Sequence, residues 1–307
     1  MQRLVLSFVL AALLNICTGA DWCYQSQVTC GGHCKGPVFW NQVNTECGKS
    51  RQSPINIVTR KTVLDETLTP FRFNGYHTAF SSYIKNNGHS VQVNIPDNLA
   101  TVSGGKLEGT YKAVQFHLHW GNNGGPGSEH TIDGEQYPME LHIVHMKEKY
   151  SSLTDALKDR TGVAVLGFFY EESSSTNRRY DDFVQALGKI QNTSMNTTLN
   201  SISLERLTLS PGNMTSYYRY EGSLTTPGCT ESVVWTVFEH AIPLSRTQLK
   251  TFSSLRFHDG KPMVDTFRPI QPRNNRVVYR SGTAVVVASV GLLVASLFVT
   301  LGLSRPN

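Results

Sequence analysis

The chain has 307 residues, 39% of them hydrophobic and 17% charged, which is ordinary globular composition and excludes disorder, collagen and coiled-coil arrays. The formal charge is +5, from 28 Lys and Arg against 23 Asp and Glu. Two of those cations, Arg3 and Arg305, lie in the ends, which leaves +3 on the stretch 21–283. With no Lys/Arg-rich run there, nucleic acid is not an expected partner.

The first expected element is a secretory signal over residues 1–20. Arg3 supplies the positive start, residues 4–14 the uncharged apolar stretch, and Thr18-Gly19-Ala20 the small residues for cleavage. The mature domain then runs over 21–280. Of six cysteines, Cys17 leaves with the signal; Cys23, Cys30, Cys34, Cys47 and Cys229 remain. An oxidising compartment favours disulfides, and an odd count leaves at least one thiol unpaired or paired outside the chain. Cys30 and Cys34 flank His33 at a spacing compatible with a zinc knuckle. No second ligand pair follows, so disulfides are preferred.

Turn signals then come often, as at Asn87-Gly88, Ser103-Gly104-Gly105 and Pro211-Gly212. Between them lie short alternating runs such as Val91-Gln92-Val93-Asn94-Ile95, which predict strands buried on one face. Helices are expected at 152–158, at 180–190, and from Ser245, where Gln248 completes a capping box. The pattern predicts a mixed, mainly β single domain: one large, mostly antiparallel central sheet with short peripheral helices. Asn192, Asn196 and Asn213 begin N-glycosylation sequons, usable if the chain is secreted.

The last twenty uncharged residues, 284–303, would span about 30 Å as a helix, the thickness of a bilayer core. Two readings compete for the segment 281–307. One is a transmembrane helix with a four-residue tail. The other is a removable glycosylphosphatidylinositol signal, with Ser281-Gly282-Thr283 as the small-residue site and Ser281 as the lipid attachment point. The polar spacer of such a signal is nearly absent, yet the lipid anchor is the preferred reading. Either one tethers the domain to a membrane.

The most informative segment is Gln115-Phe116-His117-Leu118-His119-Trp120. Strand alternation puts Gln115, His117 and His119 on one face and Phe116, Leu118 and Trp120 on the other. In Glu140-Leu141-His142-Ile143-Val144, the residues Glu140, His142 and Val144 share a face. Two neighbouring strands would therefore gather three imidazoles. Three His with an open fourth position is the donor set of a catalytic zinc site. Gln115 and Glu140 lie on the right faces to accept from the other ring nitrogens. A lone His-x-His is more often ordinary packing, but the third His and the matching parity favour metal. No His-Glu-x-x-His or Pro-Cys-x-x-Cys motif supports another zinc enzyme. His145 reads as a structural histidine.

These residues resemble the α-class carbonic anhydrases, from Trp22 to about Tyr279. The resemblance rests on Gln52-Ser53-Pro54-Ile55-Asn56-Ile57, Asn86-Asn87-Gly88-His89, residues 115–121, Gly127-Ser128-Glu129-His130-Thr131, Glu140-Leu141-His142, Gly222-Ser223-Leu224-Thr225-Thr226-Pro227 and Met263-Val264-Asp265 with Arg268-Pro269. The early cysteines, signal and apolar C-terminus are similar to the family's membrane-anchored extracellular branch. The resemblance implies a twisted sheet and reversible hydration of carbon dioxide to bicarbonate and a proton, by attack of zinc-bound hydroxide. It implies Zn2+ on His117, His119 and His142, a proton shuttle at His89, and a Thr225–Glu129 hydroxyl–carboxylate pair. It further implies a substrate pocket of Val144, Val165, Leu224, Thr226 and Trp235, and a water chain ordered by Tyr24, Asn87 and Gln92. Cys47 with Cys229 resembles the branch's disulfide, and Cys23 is expected to pair with Cys34, the alternative being Cys30. Thr266 and Gln92 depart from the Asn usual at both positions. A non-catalytic adhesion module is the alternative function. Such relatives typically lack a ligand histidine and all three are present here, so an enzyme is expected. A side esterase activity of the same site and a nearby bicarbonate transporter are compatible with the sequence.

Overall fold

A computed structural model describes residues 22–28 and 34–282. The signal segment 1–20, Cys30, His33 and the apolar 284–303 lie outside the described residues. Among the described residues, no helix is long and apolar enough to cross a membrane.

Thirteen strands form one mixed, mainly antiparallel sheet. From edge to edge its main path runs Asn196–Ile202, Phe80–Asn86, Val91–Asn94, Tyr111–Trp120, Met139–Lys147, Val163–Ser173, Val233–Phe238, Tyr217–Gly222, Tyr279–Ser281 and Val63–Asp65. Parallel pairing occurs where Val163–Ser173 meets Val233–Phe238 and Ile242–Ser245, and where Tyr279–Ser281 meets Val63–Asp65. The strands Val163–Ser173 and Val233–Phe238 are largely apolar on both faces, as strands covered on both sides must be. Leu141 and Ile143 pack on one side with Phe116, Leu118 and Trp120. Val144, Val165, Tyr220 and Trp235 pack on the other.

Helices are short and peripheral. Leu153–Ala156 follows Ser152, whose hydroxyl accepts from the Asp155 amide. Arg246–Thr251 follows Ser245, with the Gln248 capping box formed. Asp181–Leu187 replaces the longer helix expected at 180–190. Its start is a single 3-10 turn, Arg178–Tyr180, and it stops at Gly188, a poor helix former. The helix at 152–158 is likewise cut to one turn.

Two disulfides tie loops to this frame, Cys23–Cys34 and Cys47–Cys229. Ser281 is buried at the end of the last strand. Its hydroxyl donates to the Thr215 carbonyl and accepts from the Tyr217 amide.

Candidate active site

The register of two central strands builds the site. His142 stands directly opposite His117, and Glu140 opposite His119. Because side chains repeat every two residues, all four share a face. A register shift falls just beyond, between Val144 and His145, leaving the site residues in regular pairing. On the far side of the same strand, Gln92 is paired with His117.

Each of the three imidazoles gives one ring nitrogen to an acceptor. His117 Nδ1 lies 3.0 Å from Gln115 Oε1, His119 Nδ1 2.6 Å from the Thr266 carbonyl, and His142 Nε2 2.7 Å from Glu140 Oε1. These oxygens only accept, so those nitrogens carry the protons. The remaining lone pairs are on His117 Nε2, His119 Nε2 and His142 Nδ1. Ligand atoms from the three residues lie within 4.8 Å of one another. Burial pushes all three rings below the ordinary histidine value, His119 to about 4, so they stand neutral at physiological pH. His119 Nε2 is buried and finds no partner among the described residues. Three neutral, converging imidazoles with one orphaned nitrogen fit a tetrahedral metal ion with its fourth position open.

Glu140 is the keystone of the surroundings. Besides His142, its carboxylate takes His130 Nδ1 at 2.7 Å and the backbone amides of Glu129 and His130 at 2.9 and 2.8 Å. Burial opposes its charge, but His130 and His142 outweigh that and hold it well below the usual carboxylate range. The chain of contacts continues from His130 Nε2 to the Tyr220 hydroxyl at 2.6 Å. His130 lies within the Gly127–Thr131 motif, yet nothing in the sequence assigns it a role. Neither its charge nor its spacing marks it as a bridge.

Glu129 sits 3.4 Å from His119 Nε2 and 3.9 Å from His142 Nδ1 through Oε2, which has no hydrogen-bond donor among the described residues. Its other oxygen accepts from the Arg268 amide at 2.9 Å. Burial pushes Glu129 up to about 7, against the pull of His142, that amide and Thr225. Thr225 is close enough to act on it, without a hydrogen bond of ordinary length and angle. The Arg268 guanidinium, also missed from sequence, is buried. It donates to Gln52 Oε1 and to the Ser53 and Cys47 carbonyls, while Gln52 Nε2 donates to the Cys229 carbonyl. Glu129, the Gln52 turn and the disulfide thus form one rigid unit.

Val144, Val165 and Trp235 are buried on the metal-site face with Leu224 partly buried beside them. The Trp235 ring is 4.8 Å from that of His142, and its Nε1 donates to the Ser223 carbonyl, one residue before Leu224. Thr226 accepts the Cys229 amide through its backbone. His89 is half-buried and stacked on Trp22, with ring centroids 3.9 Å apart. The Tyr24 ring lies 6.5 Å from it. Asn87 donates to Gln92 Oε1 at 3.3 Å, and Gln92 to Asn94, so both expected water-chain residues are engaged with each other. Thr266 keeps the carbonyl contact to His119, and its hydroxyl accepts from the Trp120 amide at 2.9 Å. His145 is no part of the triad; its Nε2 meets the Tyr76 hydroxyl at 2.6 Å. Asn192, Asn196 and Asn213 are exposed.

Residues 35–282 match the family described as eukaryotic-type carbonic anhydrase. The chain is 39% identical to carbonic anhydrase 4 of Rattus norvegicus over 285 residues, 92% of this chain and 91% of that one. It is 42% identical to carbonic anhydrase 4 of Oryctolagus cuniculus, over 86% and 85% of the two chains. Its identity to carbonic anhydrase 15 of Mus musculus is 36%, over 94% and 92%. With the three-histidine face and this coverage, the chain belongs to the eukaryotic-type carbonic anhydrase family and is an enzyme that reversibly hydrates carbon dioxide to bicarbonate.

Proposed function

We propose that the chain performs this hydration with Zn2+ held by His117 Nε2, His119 Nε2 and His142 Nδ1, at the outer face of a cell membrane. The convergence of three neutral imidazole lone pairs carries the reading. Zn2+ there would supply a Lewis acid that lowers the pKa of its water to about 7, a figure measured on carbonic anhydrases themselves.

The protein's own groups then have distinct tasks. With metal bound, Glu129 would accept from the Thr225 hydroxyl and so fix it as a donor. The Thr225 oxygen is left to accept from the attacking water, which disfavours groups with no proton to give. Val144, Val165, Leu224 and Trp235 offer carbon dioxide an apolar wall that holds it weakly. Thr226 stands at the rim of that pocket. Gln115, Glu140 and the Thr266 carbonyl hold the ligand rings in one tautomer and orientation. Tyr24, Asn87 and Gln92 order the path by which the proton leaves, and His89 carries it out.

Residues 1–20 are the signal, 21–280 the catalytic domain, and 281–307 the anchor signal, with lipid attached at Ser281. The exposed sequons at Asn192, Asn196 and Asn213 carry glycans in this reading. A bicarbonate transporter nearby would use the product. Stopped-flow hydration with zinc analysis tests the centre: wild type should hold one zinc and be active, and His142→Ala should lose both. A zinc-free wild type that is still active would sink the proposal. Phosphatidylinositol-specific phospholipase C should release the protein from cells; retention would favour a transmembrane segment instead.

A further inference from the structure

Beside the shuttle stands a second histidine that the family resemblance does not assign. His258 occupies a tight turn closed by the Gly260 amide on the Phe257 carbonyl and the Phe257 amide on Lys261. Its ring centroid is 5.4 Å from that of His89. Gly88 makes this approach possible. A Cβ there would lie 3.5 Å from His258 Cβ and 3.1 Å from Thr193 Cγ2, and the φ of +89° already excludes most side chains. Asn86 locks the convergence, donating to the Ile190, Gln191 and Arg256 carbonyls while accepting the Gly88 amide.

Among the described residues, both rings keep a buried Nδ1 that no protein group engages, and the Thr193 hydroxyl between these loops is likewise unpartnered. Buried polar atoms are normally satisfied by protein or by ordered water, and water bridging these three would give a proton a path between the rings. Among the described residues, the two other rings packed against His89, Trp22 and Tyr24, are poor acceptors. Trp22 does not titrate. The Tyr24 phenol is pushed far up by burial and keeps its proton. Asp259, on the His258 turn, lies 3.7 Å from Lys261 Nζ.

We propose that His258 is the second station of the proton exit, taking the proton from His89 and passing it to buffer. The inference rests on the shuttle reading of His89. The transfer is balanced: the His89 imidazolium loses one proton, the neutral His258 ring gains it, and a buffer base removes it. Burial and the neighbouring His258 both push His89 down, to about 4, which favours handing its proton on and opposes taking one up. His258 acts through His89 and touches no substrate.

Two measurements on the full chain test this. In dilute buffer at saturating carbon dioxide, His258→Asn should lower kcat roughly threefold or more, a fraction of what a full proton-transfer group contributes. The ratio kcat/KM should stay unchanged, because proton exit follows hydration. Imidazole buffer should restore the rate, which it could not do for a folding defect. Adding His258→Asn to His89→Ala should cost nothing further. Separately, in metal-free protein, the NMR titration of the His89 ring should move up in His258→Asn by roughly half a pH unit or more, the size of one repulsion at this separation in water. An unchanged kcat, a loss that persists in the His89→Ala background, or an unmoved titration would overturn the relay. If His89→Ala itself leaves kcat intact, the shuttle reading fails instead.

Discussion

Glu140 shows how much one buried residue can organise. Its carboxylate meets two imidazoles and two amides, so it orients His142 and ties the Glu129 loop to the strand. Glu140→Gln turns one acceptor oxygen into a donor and leaves a ring nitrogen facing it. We expect metal affinity to fall about 10–100-fold, measured by chelator competition, with little change in the melting temperature of the metal-free protein. His145 makes a different prediction. Burial holds it at about 4, below its ordinary 6.5, so the unfolded chain binds a proton more readily. Its stabilising effect is complete above pH 6.5 and is lost as pH falls towards 4, up to about 3 kcal/mol. Urea midpoints at pH 7 and 4.5 should therefore differ less in His145→Gln than in wild type. An equal loss in both would show that other groups dominate acid unfolding. At this scale strand parity was enough to pick out His117, His119, His142, Gln115 and Glu140. Arg268 escaped because its partners at Cys47–Ser53 lie far away in sequence, and His130 because its bridge needs both nearby Glu140 and distant Tyr220.

The elements are held by backbone contacts that leave no room for side chains. Where the strand Tyr111–Trp120 ends, a Cβ on Gly127 would lie 1.7 Å from the Gly121 nitrogen. This contact sets the loop bearing Glu129 against the strand bearing His119. Gly127→Ala should destabilise the fold by about 1–3 kcal/mol, as overpacking does, and weaken metal binding with it, read by calorimetry and chelator competition. Wild-type melting with a filled metal site would refute that coupling. The Cys47–Cys229 bond closes 182 residues of chain and pins the loop of Thr225. Cys47→Ser with Cys229→Ser should cost about 2–5 kcal/mol and reduce the heat resistance of activity. Unaltered heat resistance would count against it. Element types were legible from alternation and capping, but helix lengths were not. A single turn such as Leu153–Ala156 stops where packing stops, and local propensity does not mark that point.

Across the whole molecule, the apolar clusters on both faces of the sheet include none of the three ligand histidines. Removing metal with a chelator should abolish hydration while leaving the far-ultraviolet circular dichroism spectrum unchanged, unlike small domains that fold only on metal. Loss of the strand signal on chelation would contradict an independent core. By itself the sequence determined the mainly β class, the ligand face, the acceptors Gln115 and Glu140, and the family, because period-two alternation and short motifs are local properties. Tertiary structure settled that the Thr266 carbonyl, which the resemblance had left open as an acceptor, receives His119; it alone decided that Arg268 joins Glu129 to the disulfide and that His258 reaches His89. Each of these joins residues more than a hundred positions apart, and only the closed sheet and its returning loops bring such positions within a few ångströms.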